Sequence, residues 1–558
     1  MAALFFLPNE ILHEIIEELP LPSLSSFCQT CQATRVVAEP LLYRNISWEI
    51  GSAQFQTRLP IHAFFRTISH RPALALHVKS VVLHSGFQPK DWMTHFACCS
   101  VPDDLSPLWL DALAQLDMPT KLQQRFFRSK AEVGDLGVLT GIVLASLPMV
   151  EELVIDTTLI EESDLLEMVI GGLLSLKNVT IHNNLDSRIL GRHSTVTRLS
   201  SVFHLPRLEQ LCTTFQFMKR PMVAGPKLSA LRTLGLVDRL SYPSAIKTLL
   251  ARAPKLESLS YFLVEDMDDL LCYIQDARHR DVENANSASL GRDRDPDDFN
   301  TWHTFARALK SVSGSLTTLT ISLDAAGGKH DRTLQNLHYD LLGGVSARRG
   351  RIGSLQHLEN LTSLEIPMLI LFNDRTKETK LQDLLPPSLK KLTLRDDYIN
   401  DHDLLNCTPS LVIPALESYL LEQDPINPLS LYELCINLRI RDFHTSIGRN
   451  KLGLKGVHRF THRHWDLERI CKQAAVRCVL HVRRRSVLLP GRDCVDIMDE
   501  TVVYDPSIAD GNGGMKEEGR VRSIFDKLSQ IKKRARGFHW SWGPVDPKYE
   551  TDEELSDD

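Results

Sequence analysis

The chain has 558 residues, 43% of them hydrophobic and 24% charged, and 64 Lys and Arg against 70 Asp and Glu leave a formal charge of −6. That apolar share sustains a large core and excludes wholesale disorder, while the slight negative balance excludes the electrostatic footprint of a dedicated nucleic-acid binder. Eleven scattered cysteines, an odd count, predict reduced thiols in an intracellular protein of the cytoplasm or nucleus rather than a disulfide framework.

The N-terminal run Met1 to Leu7 is apolar but short, lacks a basic flank and meets Glu10, so no signal peptide is expected. No run of about 18 apolar residues follows anywhere, so no membrane partner is expected either.

From Leu7 to Pro20, apolar residues at Ile11, Leu12, Ile15, Ile16 and Leu19 form the stripe of an amphipathic helix that Pro20 ends. Ser23 stands where an N-cap precedes Leu24, Phe27 and Cys28, and a third helix runs from Gln32 to Glu39, stopped by Pro40. Cys28 and Cys31 form a Cys-x-x-Cys with no second pair near, which reads as buried small hydrophobes rather than half a zinc site. Three helices this short bury little surface, so an apolar face awaiting a partner is expected.

The run Leu7-Pro8, Glu10-Ile11-Leu12, Ile15, Leu19-Pro20, Leu24, Phe27 and Cys31 resembles an F-box, and Glu39 to Ile46 resembles the hook that follows it in F-box proteins common in fungi. Ala33-Thr34-Arg35 stands where that family often carries a large aromatic residue. The resemblance implies a docking module for the Skp-type adaptor of cullin–RING ubiquitin ligases, with Leu7, Pro8, Ile11, Leu12, Ile15, Leu19 and Leu24 making the contact.

Farther along, a pattern of apolar residues at positions 1, 4 and 6 recurs, from Val78, Val81 and Leu83 to Leu431, Leu434 and Ile436, with a degenerate copy at Leu208 and Leu211. In so apolar a chain the pattern recurs by chance, and spacing and context carry the reading. The anchors Leu153, Val179, Leu211, Leu234 and Leu259 lie 23 to 32 residues apart, close to the roughly 20–29 of leucine-rich repeats. Pro148, Pro206, Pro254 and Pro387 each stand two residues before a copy, where a helix must stop and a strand can begin. Helical stretches at Ala245–Ala253 and Thr301–Ser313 fill intervals, so the unit is helix, turn and short strand. Such a unit cannot bury its own face and must stack on its neighbours.

The fold class expected is therefore α/β. A three-helix F-box-like module occupies 1–50, linker helices and a first repeat 51–150, and an irregular leucine-rich-repeat solenoid 151–440, with a parallel sheet lining its concave face and a mobile polar loop near 276–298. A C-terminal cap at 441–506, with a helix near Leu467–Ala475 and strands at Val476–Leu480 and Thr501–Tyr504, precedes a flexible acidic tail at 507–558. The basic cluster Lys532–Arg536 reads as a solvated helix end or a nuclear import signal, and Thr551 and Ser556 precede acidic residues as candidate phosphorylation sites.

Alternation along the strands sends Glu152, Asp156, Thr180, His182, Ser258, Ser260, Thr318, Thr320, Glu365, Lys391, Thr393 and Arg395 to the concave face. A mixed polar list suits a protein substrate better than a small-molecule pocket, which needs convergent apolar walls. No phosphate loop, dinucleotide turn, nucleophile elbow or zinc-protease helix is present, so neither catalytic residue nor cofactor is expected. His458, His462 and His464, with Cys471 or Cys478, offer the one local metal-like cluster and the rival reading of a metal-dependent enzyme. The leading expectation is a substrate adaptor of an SCF-type ubiquitin ligase, and its nearer alternative is the same adaptor contact in a scaffold acting without a cullin.

Overall fold

A computed structural model describes residues 7–50, 60–85, 106–115, 136–156, 164–182, 201–215, 226–238, 243–266, 301–326, 352–372, 380–396, 409–422, 430–440, 463–484 and 497–506. The expected loop near 276–298 and the tail from 507 lie outside them, as do Lys532–Arg536, Thr551 and Ser556.

Three helices open the chain: α1 (Asn9–Glu17), α2 (Leu21–Cys28) and α3 (Gln32–Leu42). The capping differs from expectation. Pro20, in extended conformation, is the N-cap of α2, and Ser23 lies within that helix. Pro40 does not stop α3, which runs on to Leu42. The ring removes one backbone donor, and the carbonyl it deprives belongs to Val36, on an exposed turn where water reaches it. Cys31 caps α3 through Thr34, whose hydroxyl accepts from the Cys31 N–H at 3.2 Å and donates to the Cys31 carbonyl at 2.8 Å. Cys28 is buried as expected, and Cys31 is exposed. Leu12, Ile16, Leu24, Cys28 and Ala38 close a small core of their own.

Thirteen strands follow among the described residues: β1 (Asn45–Ile50), β2 (Ser80–Ser85), β3 (Glu152–Asp156), β4 (Asn178–His182), β5 (Gln210–Phe215), β6 (Thr233–Asp238), β7 (Ser258–Asp266), β8 (Thr318–Ala326), β9 (Ser363–Pro367), β10 (Lys391–Arg395), β11 (Glu433–Ile440), β12 (Arg477–Arg484) and β13 (Ile497–Tyr504). They form one sheet in strict chain order. Every pairing is parallel until β13 turns back antiparallel on β12. Parallel neighbours need a crossover, and helices such as Leu136–Ala145, Pro243–Arg252 and Thr301–Leu309 supply it. Pro148, Pro206, Pro254 and Pro387 all lie in the turns that enter strands.

The repeated apolar anchors become one column. Leu153, Val179, Leu211, Leu234, Leu259, Leu319, Leu364, Leu392 and Leu434 are Cα partners from strand to strand, and all are buried. The degenerate copy has a visible cause: Thr213 takes the place of the third apolar anchor in β5, and its buried hydroxyl has no partner among the described residues. Behind the sheet, Tyr261 of β7 stacks on Phe305 at 4.8 Å between ring centroids, and Trp302 meets both rings edge-on.

A second column runs just before the strands. The Lys79 carbonyl accepts the N–H groups of both Glu151 and Glu152, and the same fork repeats at Glu151, Lys177, Glu209, Arg232, Glu257, Thr317, Thr362 and Lys390. After Arg44, which opens the column and has the same sign as Lys79, six members read Lys79, Glu151, Lys177, Glu209, Arg232, Glu257, alternating in sign. Glu151 receives Lys79 at 3.0 Å and Lys177 at 2.7 Å, and Arg232 pairs with Glu257. The hydrogen bonds from the two lysines hold the Glu151 carboxyl down to about 2.

The helical module joins this sheet without a spacer. α3 ends at Leu42, its Leu41 and Leu42 pack on the small core, and the next residue, Tyr43, packs on the large one. The Arg44 carbonyl accepts from Lys79 and Ser80, opening the backbone column. Phe64, on α4 (Pro60–His70), lies 6.2 Å from the Tyr43 ring and 5.1 Å from Trp48 of β1. Arg71 forks onto Glu39 of α3 through two hydrogen bonds of 2.6 and 2.5 Å.

Two predictions follow from these contacts. Because the folded Glu151 carboxyl lies below its ordinary 4.5, its stabilisation is full above that value and is lost as pH falls toward about 2. Glu151→Gln is expected to destabilise the protein by no more than about 1 kcal/mol at neutral pH, since the pairs are solvent-screened, with the difference shrinking below pH 4.5; denaturant titrations at several pH values measure it. At the end of the helix His464–Gln473, Ala475 holds φ at 54° while Val476 N–H bonds the Cys471 carbonyl. This is a Schellman turn with alanine where glycine is unstrained, so Ala475→Gly is expected to raise unfolding free energy by about 1 kcal/mol.

Candidate functional sites: a docking face and a polar sheet face

α1 carries two adjacent apolar stripes, and only one of them is spent on folding. Leu12 and Ile16 point into the small core, whereas Ile11 and Ile15, one turn apart, are each 42% exposed. Pro8 is also exposed, and Leu7 and Leu19 are half-buried. Of the seven residues singled out for adaptor contact, Leu12 and Leu24 are therefore structural: they close the module's own core. Two apolar side chains missed by sequence reasoning, Leu21 and Val36, are 56% and 67% exposed. The pattern of spacing could not separate the stripes, because residues 11 and 15 repeat at the same interval as 12 and 16.

On the sheet, alternation holds at β3, where Leu153 and Ile155 turn inward and Glu152 lies open to solvent. Asp156, expected on an open surface, is 6% exposed, and Thr393 and Arg395 are likewise buried. For Arg395 one cause is direct, since its guanidinium is paired to Glu365 on β9. His182 is the Cα partner of Asp156 at the end of β4. Thr180, Ser258, Ser260, Thr318, Thr320, Glu365 and Lys391 are half-buried. Register gathers Ser260, Thr320, Glu365 and Thr393 into one row across β7 to β10, with Ser258 and Thr318 paired in the row before it.

Beyond β10 the same face becomes a chain of ion pairs. Lys391 meets Glu433 at 2.6 Å, Glu433 meets Arg477 at 2.8 Å, and Arg477 meets Asp505 at 3.3 Å. Burial pushes the Glu433 carboxyl up, but Lys391 and Arg477 outweigh it and the net shift is downward. The hydrogen bond to Glu433 raises the Lys391 ammonium in turn. Next to this chain, Cys435, Asn437 and His481 form a hydrogen-bonded group. Sequence reasoning had read the anchors Leu434 and Ile436 but ended its concave list at Arg395, and the residues alternating with those anchors went unnoticed.

His458 and His462 lie outside the described residues, and His464 opens the helix that follows. Cys471 and Cys478 are fully buried between that helix and β12, and the neighbouring Cys471 thiol together with burial pushes the Cys478 thiol up. Among the described residues no three His, Cys, Asp or Glu side chains are gathered to hold a metal, and no helix is long and apolar enough to cross a membrane.

No curated protein matches the chain. The family model of the F-box domain matches residues 4–40, the stretch that contains α1, α2 and most of α3. The helices that fold around Leu12, Ile16 and Leu24 while leaving Ile11 and Ile15 outside are thus an F-box domain, which the chain carries at residues 4–40.

Proposed function

We propose that the chain is the substrate-recognition adaptor of an SCF-type ubiquitin ligase, intracellular and without a catalytic step of its own. The observation that carries this reading is the F-box match at residues 4–40 on a module whose Ile11 and Ile15 remain exposed. Two isoleucines one turn apart, with Pro8 beside them and Leu21 on the next helix, supply the apolar face that a Skp-type adaptor buries, and through that adaptor the cullin–RING ligase is reached. The sheet is read as an irregular leucine-rich-repeat solenoid, on the strength of its strict strand order and its ladder of buried leucines. Its polar face, with Ser260, Thr320 and Glu365 in one row, is the proposed seat of a protein substrate.

The mechanism is effective concentration. An adaptor that holds a substrate beside the charged ubiquitin carrier turns a bimolecular transfer into a nearly intramolecular one, and needs no reactive side chain to do so.

Two outcomes test the two halves separately. Ile11→Asp with Ile15→Asp places two charges on the exposed stripe but none in the core, so co-purification of a Skp-type adaptor is expected to fall at least about tenfold with the unfolding midpoint nearly unchanged. Undiminished adaptor binding by that folded variant refutes the docking face. Ser260→Arg with Thr320→Arg is expected to deplete substrate-class proteins from the co-purified set, measured by quantitative mass spectrometry, while leaving adaptor recovery intact.

A further inference from the structure

The outer face of β11 and β12 holds three donor atoms in a compact triangle. Cys435 Sγ lies 3.3 Å from His481 Nδ1 and 3.3 Å from Asn437 Oδ1, and His481 Nδ1 lies 3.0 Å from Asn437 Oδ1. Backbone register makes this arrangement: Asn437 and His481 are Cα partners, Cys435 precedes Asn437 by two residues on the same strand face, and Glu500 of β13 is the Cα partner of His481. Cys435 and Asn437 are 3% and 5% exposed, whereas His481 is half-buried. The Asn437 Nδ2 is buried with no hydrogen-bond partner among the described residues.

We propose that this group is a binding site for a divalent ion of the zinc class. Thiolate, imidazole and an amide oxygen are donors that such an ion accepts, at bond lengths of about 2.0–2.3 Å. An ion seated just outside the plane of the triangle reaches all three donors once the edges open by a few tenths of an ångström. His481 is the most exposed of the three, and the fourth position is left to water. Binding replaces the thiol S–H bond of Cys435 by a sulfur–metal bond and releases that proton to solvent, while the ring proton that His481 Nδ1 shares with Asn437 Oδ1 moves to Nε2 and frees the Nδ1 lone pair for the ion. The orphaned Asn437 N–H is then satisfied by an oxygen held beside the ion, from water or from a carboxylate. The site differs from the histidine cluster in the sequence, because its ligands come from separate strands and only the sheet brings them together.

The test uses the full chain, stripped with a chelator and titrated with Co2+ and then Zn2+. The expected result is a thiolate-to-cobalt charge-transfer band with the visible bands of a four-coordinate ion, all abolished by Zn2+. Cys435→Ser and His481→Ala are each expected to weaken binding by about tenfold or more, and Cys31→Ser, at an exposed cysteine of the helical module, leaves the spectrum unchanged. Asn437→Asp puts a carboxylate where the amide stands and is expected to tighten binding, a gain that misfolding cannot imitate. Absence of the band in the parent protein overturns the proposal, and so does a band of equal strength in folded Cys435→Ser or an affinity unmoved by Asn437→Asp.

Discussion

Everything in this protein rests on a hydrogen-bonding requirement that no segment can meet alone. A five-residue strand such as β3 or β10 leaves its backbone groups unpaired and its two inward side chains open to water until the strands before and after are in place. The forked bonds onto the Lys79, Glu151 and Lys177 carbonyls show the requirement at its tightest, since each turn is fixed by the turn preceding it. Leucine fills the buried column because every crossover delivers its strand to an equivalent place. At the next inward position β5 carries Thr213 where its neighbour has Leu236, a buried hydroxyl without a partner among the described residues, and the pattern blurs there.

Charge adds specificity to this framework more than strength. Like charges stacked at the spacing of adjacent strands repel, and alternating Lys79, Glu151, Lys177, Glu209, Arg232 and Glu257 turns that liability into a register mark. Exposed pairs contribute little to stability at neutral pH. A slip by one coil, however, sets like beside like along much of the column. The second charged chain, from Lys391 through Glu433 and Arg477 to Asp505, lies where the sheet changes from parallel to antiparallel pairing, and ties the last strand to the body.

How much of this was legible in the sequence depends on whether information was local. The apolar anchors and the prolines before them are local, and they located the strands from β2 to β11. β1 lies in the stretch that resembles the hook, although Tyr43, Ile46 and Trp48 keep the same 1, 4, 6 spacing and Ile46 and Trp48 are Cα partners of the anchors Val81 and Leu83. The two stripes of α1 are visible as apolar residues, but which stripe faces α2 and α3 is a tertiary fact, and Leu12 and Leu24, expected at the adaptor contact, pack in the module's own core. The burial of Asp156, Thr393 and Arg395 was equally out of reach, because alternation reports the side of a sheet and says nothing of what else crowds it. Cys435, Asn437 and His481 are separated by up to 46 residues, and only register makes them neighbours.

The passage from α3 into β1 has a mechanical meaning. Leu42 belongs to one core and Tyr43 to the next, with Glu39 and Arg71 clasped across the boundary and Phe64 wedged against Trp48. Tilting one part against the other breaks these contacts together, so the joint behaves as a bracket rather than a leash. Whatever rests on the sheet is then held at one bearing relative to whatever grips Ile11 and Ile15. A leash samples a sphere of positions, whereas a bracket presents one patch of its cargo, and choice among groups on that cargo becomes a matter of where the bracket points.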